Sequence, residues 1–154
     1  SFGGLATQTS SMGRLSLKPD EAAIIRFDPA GATYASLVDY DWWFRSIDVD
    51  HRQSSLTAVM AAPDADGWVT CVACADDPGI ANWIDTGGFV ETLPLVRWQG
   101  LPAEQVRGGP VSEIRIVPRA RLEAELPDAP RIDPAERARR LAARKAALLR
   151  RAPF

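Results

Sequence analysis

Two thiols, Cys71 and Cys74, have the spacing of a redox pair or of half a zinc site. That chemistry needs both sulfurs on one side of the backbone. The surrounding run from Trp68 to Ala75 reads as a strand, and an odd separation along a pleated strand turns two side chains to opposite faces. No second Cys-x-x-Cys exists, and the only imidazole is His51. Structural thiols are expected, with no metal and no cofactor. His51, in Asp48-Val49-Asp50-His51-Arg52, has carboxylates nearby that would favour its protonated form and could orient it as a general base. No Gly-x-Ser-x-Gly elbow accompanies it, so a hydrolase triad is unsupported.

Two further clusters carry binding potential. Tyr40, Trp42, Trp43 and Phe44 place four aromatics in five positions, too many for one core face. One of the adjacent Trp residues is expected inside as a corner plug and the other in a pocket or interface. The second cluster is polar. Asp76, Asp77, Asp85 and Glu91 are hard-cation ligands by type, but their spacing is not that of an EF-hand. Asp77 and Asp85 are better suited to turns and caps. Gly87-Gly88 does not precede a helix and is no phosphate cradle.

Strands must position these groups. Strand patterns cover Leu15 to Leu17, Ala22 to Phe27, Thr33 to Tyr40, Ser54 to Ala62, Trp68 to Ala75, Phe89 to Trp98 and Val111 to Val117, separated by turn-forming residues. Pro63-Asp64-Ala65-Asp66-Gly67 reads as a hairpin turn joining the fourth strand to the fifth. The expected fold is mainly β, an antiparallel jelly-roll-like sandwich with a C-terminal α-helix. Residues 1–14 read as an arm or linker, 15–126 as the sandwich, and 127–154 as a linker and a basic helix. Asp133-Pro134-Ala135-Glu136 has the form of a helix start with a capping box. Ala138, Leu141, Ala142, Leu148 and Leu149 then form a thin apolar stripe, too small to fold alone.

The stretch from Leu17 to Trp98 resembles the bacterial family called domain of unknown function 1214. The resemblance lies in Leu17-Lys18-Pro19-Asp20-Glu21-Ala22, Asp41-Trp42-Trp43-Phe44-Arg45-Ser46-Ile47-Asp48, His51-Arg52-Gln53-Ser54-Ser55-Leu56, Asp77-Pro78-Gly79, Asn82-Trp83-Ile84-Asp85-Thr86-Gly87-Gly88 and Arg97-Trp98. The Pro134-Ala135-Glu136-Arg137 helix is similar to the family's basic tail. The resemblance implies a jelly-roll-like β fold, often after a separate N-terminal region, and no established activity. Where the family often carries His-Arg before Asp-Pro-Gly, this chain has Ala75 and Asp76. Phe89, Val90, Glu91 and Thr92 stand where it often has His-Arg-Glu-Gly, and Thr57 where it often has Asn. The turns are kept while most of the imidazole and guanidinium groups are replaced.

Composition bounds the remaining classes. The chain has 154 residues, 46% apolar and 25% charged, with five Trp and five Phe, the balance of one globular domain. No run approaches the ~18 apolar residues of a membrane span, no signal peptide is evident, and a cytoplasmic location is expected. The chain starts at Ser1 rather than Met, as a processed or truncated piece would. The net charge of −2 hides an acidic body and a basic tail: residues 131–154 hold 8 of the 18 basic residues and 2 of the 20 acidic ones. Docking of tail on body, within or between chains, is expected rather than nucleic-acid or membrane binding. The function expected is that of a non-catalytic ligand-binding or accessory subunit of a homo- or hetero-oligomeric assembly. Its partner would be the same or a homologous chain, with room for a small apolar ligand. Tyr40, Trp42, Trp43, Trp83, Asp85 and Phe89 are the candidate ligand-binding residues. The alternative is a small-molecule hydrolase or isomerase using His51, Asp85 and Glu91, with Trp83 stacking on the substrate.

Overall fold

The computed structural model describes residues 7–108, 110 and 112–151. Strands β1 (Thr9–Met12), β2 (Leu15–Ser16), β3 (Glu21–Phe27), β4 (Tyr34–Asp41), β5 (Ser55–Thr57), β6 (Val69–Cys74), β7 (Trp83–Asp85) and β8 (Glu91–Gln99) precede helix α1 (Ala103–Gly108). Strand β9 (Ser112–Pro118), a 3-10 turn (Arg119–Arg121), α2 (Leu122–Glu125) and α3 (Pro134–Arg151) follow. One sheet has the order β1-β8-β4-β5, with β2 also on β8; the other has the order β7-β6-β3-β9. No helix among the described residues is long and apolar enough to cross a membrane.

Strand β3 is apolar at nearly every position because both its faces are covered. Ala23, Ile25 and Phe27 point into the sandwich, with Cys71 and Ala73 beside them and Leu37, Leu56, Val96 and Trp98 opposite. Phe27 meets Trp98 edge-on, and the Trp98 indole N–H donates to the Asp28 carbonyl at 2.7 Å. On its other face, Ala22 and Ile24 join Val72, Cys74 and Val117 in a second core. The chain after β9 covers it with Leu122, Leu126 and Ala129, and Ile80 and Trp83 complete it. Cys71 and Cys74 therefore lie in different cores, as their odd spacing requires. Burial pushes the Cys71 thiol up to about 12 and the Cys74 thiol up to about 11, so neither is a nucleophile at neutral pH.

Several elements differ from the expectation. The stretch expected to be an arm or linker contains β1, which pairs with β8 from Thr9↔Trp98 to Met12↔Leu95; residues 1–6 lie outside the described residues. Its Ser-rich pattern carries no apolar period, and backbone pairing alone makes it a strand. Ser54 to Ala62 contributes only the three residues of β5. The turn at Gly67 forms, with the Gly67 amide donating to Asp64, but it joins β5 of one sheet to β6 of the other instead of closing a hairpin. The sheets are not wholly antiparallel, since β6 and β7 run parallel from Val72↔Trp83 to Cys74↔Asp85. Val111, assigned to the last strand, lies outside the described residues.

The basic tail docks on the acidic body of its own chain. Asp133 caps α3 by accepting the Glu136 amide at 2.8 Å, while the Glu136 carboxylate turns to Arg139 and Arg140 instead of closing the capping box. The docked face runs through Arg137, Leu141, Arg144 and Leu148; Ala138, Ala142 and Leu149 of the expected stripe are exposed. Arginines occupy this face because it meets carboxylates and strand-edge carbonyls. Arg137, 4% exposed, binds Asp77 at 2.8 Å, the Ile80 and Ala81 carbonyls and the Gln53 side chain, with its guanidinium 5.2 Å from the Trp83 ring centre. Arg144 donates to the Val49 carbonyl at 2.8 Å and to the Ser55 carbonyl and hydroxyl, closing the edge of β5.

Candidate functional site

At one end of the sandwich the segment leaving β4 meets the turn between β7 and β8. Asp41 builds the first wall. Its carboxylate accepts the Trp43 and Arg45 amides, both at 2.9 Å, and the Arg45 guanidinium at 2.8 Å. Burial would raise this carboxyl, but the Arg45 amide and guanidinium and the Trp43 amide outweigh it and hold it below the ordinary carboxylate range. This tight turn throws the aromatics outward. Trp42 is 47% and Trp43 77% exposed, so neither plugs the corner. Phe44, at φ 61°, stacks on half-buried Tyr40 with ring centres 4.4 Å apart. The Arg14 guanidinium lies 4.7 Å over the Trp42 ring while binding Glu91 at 2.6 Å.

Asp85 builds the second wall. Its carboxylate accepts Arg52 at 2.9 Å and the Gly87 amide at 2.8 Å. Gly87 has φ +65°, and a Cβ there would stand 2.7 Å from Ile47, so glycine is required for the two walls to meet. Arg52 continues to Asp48 at 3.9 Å, and Asp48 binds the His51 ring at Nδ1, 2.9 Å away. That bond, with Arg52 beside it, holds the Asp48 carboxyl below its ordinary range. The other ring nitrogen of His51 faces Lys145 of α3 at 3.0 Å. Between the walls lies an open cleft of about 330 Å³, lined by Asp41, Arg45, Ile47, Asp48, Arg52 and Phe89.

The expected site residues are thus divided. Trp42, Trp43, Phe89 and Asp85 belong to this end. Trp83 does not; it is buried in the second core, its indole N–H on the Cys74 carbonyl at 3.0 Å, and it cannot stack on a ligand. Tyr40 supports Phe44 from beneath. His51, Asp85 and Glu91 do not converge. Glu91 pairs with Arg14, Asp85 with Arg52, and His51 with Asp48, and no hydrogen bond or ion pair joins any two of the three. Asp77 and Asp85 have the turn roles expected of them, each accepting the amide two residues on. Among the described residues no group of three His, Cys, Asp or Glu side chains is placed to hold a metal.

Sequence reasoning missed a buried polar group beneath this end. Asp39 is fully buried, and neither of its carboxylate oxygens has a hydrogen-bond partner. The Asp39 amide donates to the Ser54 carbonyl at 2.9 Å, which sets Ser54 directly across the strand pair. The Ser54 and Thr92 hydroxyls are likewise buried and unpaired. Alternation in β4 carried the signal, since Ala35, Leu37 and Asp39 share one parity and the first two are core.

No family model matches the chain, and no curated protein matches it. Among solved structures it is similar to an uncharacterized protein from Burkholderia cenocepacia, with 30% identity and a TM-score of 0.69 over 78% of this chain and 32% of that one. The VPA0106 protein from Vibrio parahaemolyticus shares the fold, with 17% identity and a TM-score of 0.55 over 70% of this chain and 30% of that one. The chain therefore spans about a third of the length of the solved proteins it matches.

Proposed function

We propose that this chain is a non-catalytic binding module, an accessory subunit that engages a homologous protein chain through its aromatic end. One observation carries the reading: the charged groups around the cleft are tied to one another while Trp42, Trp43 and Phe89 face outward. A carboxylate already accepting an arginine and a backbone amide is poorly placed to take a substrate proton. Exposed Trp beside Arg is the composition of an interface anchor. The cleft is rimmed by Asp41, Arg45, Asp48 and Arg52, which suits a polar protein surface better than a small apolar ligand.

The same proposal takes the chain as a divergent relative of domain of unknown function 1214, with the sandwich in jelly-roll form. The resembling residues support it by their roles. Asn82 holds the Ala62 and Thr70 carbonyls at 2.7 and 3.0 Å, and Asp41, Asp85 and Gly87 shape the two walls. They are scaffold residues, and Asp41, Asp85 and Gly87 gather at one end. Nucleic acid is not the partner we propose, because Arg137 and Arg144 of the basic helix are engaged within the chain. A cytoplasmic setting belongs to the same reading and suits two unbridged thiols.

The test is native mass spectrometry of the assembly from its source, with the wild-type chain and with Trp42→Ala/Trp43→Ala. The wild type should carry a homologous chain in fixed ratio. The double variant should fold normally and bind it at least about thirtyfold more weakly, since a buried Trp anchor is worth about 2 kcal/mol or more. Equal retention by both forms, or turnover of a small substrate that both share, contradicts the proposal.

A further inference from the structure

We infer that β9 is the contact edge for a second copy of this chain, the two β9 strands pairing antiparallel about a two-fold axis at Ile114. The inference rests on the reading of the chain as a subunit of an assembly, and it concerns a surface separate from the aromatic end. An open strand edge presents unpaired N–H and C=O groups and is normally blunted by shortness, bulges, proline or a cover. The other edges are short: β1 has four residues and β5 and β7 three each, and Arg144 covers the β5 edge. β9 has seven residues, ends its sheet, and pairs with β3 without a bulge from Ser112↔Phe27 to Pro118↔Glu21.

The ladder fixes which groups are free. The Arg119 amide donates to the Asp20 carbonyl at 2.8 Å. Antiparallel pairs alternate from there, so Val117, Arg115 and Glu113 turn their backbone groups to β3. Ser112, Ile114 and Ile116 turn theirs to the open edge, where nothing among the described residues bonds them. Ile114 and Ile116 are 42% and 47% exposed, an unusual state for isoleucines on the inward face of a sandwich.

Charge selects the occupant and the register. With Ile114 on the axis, its outward N–H and C=O exchange two bonds with those of the second copy's Ile114, and Ser112 does the same with the second copy's Ile116. Glu113 then lies opposite the second copy's Arg115, twice over, in the closely spaced non-hydrogen-bonded position where side chains interact best. A register with Arg115 on the axis would oppose two arginines. Glu113 has no ion-pair partner among the described residues, and the Arg115–Glu125 contact at 2.6 Å is half-exposed and easily shared. A two-fold axis makes the patch self-complementary, as a closed dimer needs.

The test measures the mass of the full chain in solution, by light scattering and native mass spectrometry, at concentrations on the order of 100 μM. The wild type should be dimeric. Glu113→Arg and Arg115→Glu should each weaken the dimer about tenfold or more, because each replaces two attractive pairs by repulsive ones. An equimolar mixture of the two variants should form the mixed dimer, and the double variant Glu113→Arg/Arg115→Glu should recover the homodimer. Both single variants change exposed side chains, so their melting should stay close to wild type. A wild-type monomer at this concentration overturns the inference, as does a dimer indifferent to both single variants or a β9 edge occupied by a different chain. The Trp42→Ala/Trp43→Ala variant should leave this dimer intact. A monomeric wild type whose aromatic end still binds the homologous chain defeats this inference alone, and a wild-type β9 dimer whose aromatic end binds no homologous chain defeats only the proposed function.

Discussion

Asp39 sits in a sandwich interior with nothing to bind. Burial lifts its carboxyl to about 7, with the Thr92 hydroxyl and Tyr40 amide pulling the other way from outside hydrogen-bond geometry. The folded chain therefore keeps a proton that the unfolded chain releases in the window from about pH 4 to about pH 7. Stability falls as pH rises through that window and is level above it, the opposite of a salt-bridged aspartate. Asp39→Asn keeps the size and removes the ionisation. Chemical denaturation at pH 5 and pH 8 should show wild type losing about 2.5 kcal/mol relative to the variant on going to the higher pH. A wild type that gains on the variant instead would show that Asp39 is stabilised as an anion. The thiols at this scale were legible in the sequence, because strand parity alone separates Cys71 from Cys74. Asp39 was equally legible and was overlooked, since its polarity concealed that it shares the parity of Ala35 and Leu37.

Helix α3 shows where elements stop being readable. Its start was visible in Asp133-Pro134, and its docking in the charge contrast between tail and body. Its docked face was not, because a search for apolar residues at helical spacing passes over arginine. Long guanidinium side chains suit this surface better than Leu, since they satisfy carbonyls of Ile80, Ala81, Val49 and Ser55 that a hydrocarbon would leave bare. Arg137→Ala should destabilise the fold by about 3 kcal/mol or more, because it strands Asp77 and buried carbonyls together. Arg137→Lys should recover little, lacking the planar fork. Urea melts measure the loss, and amide exchange along residues 134–151 locates it. A loss below about 1 kcal/mol would mean the contact is no stronger than a surface ion pair.

For the whole molecule, alternation gives the face of a strand but not its neighbour. That is why two sheets and a terminal helix could be anticipated, while the assignment of β5 and β6 to different sheets could not: the Asp64–Gly67 turn has the residues of a hairpin and here joins two sheets. The same limit applies to the aromatic end. Four aromatics in five residues announced more apolar surface than one core face can hold, yet only the Asp41 turn decides that both Trp side chains leave the core. On the proposed function, the outward Trp pair beside a self-satisfied charge network is a binding surface rather than a reaction centre. Oxidative footprinting of Trp42 and Trp43, in the isolated chain and in the assembly from its source, tests that most directly. Strong labelling in isolation and protection by a homologous chain is the predicted result. Equal labelling in both, with that chain demonstrably bound, would contradict it.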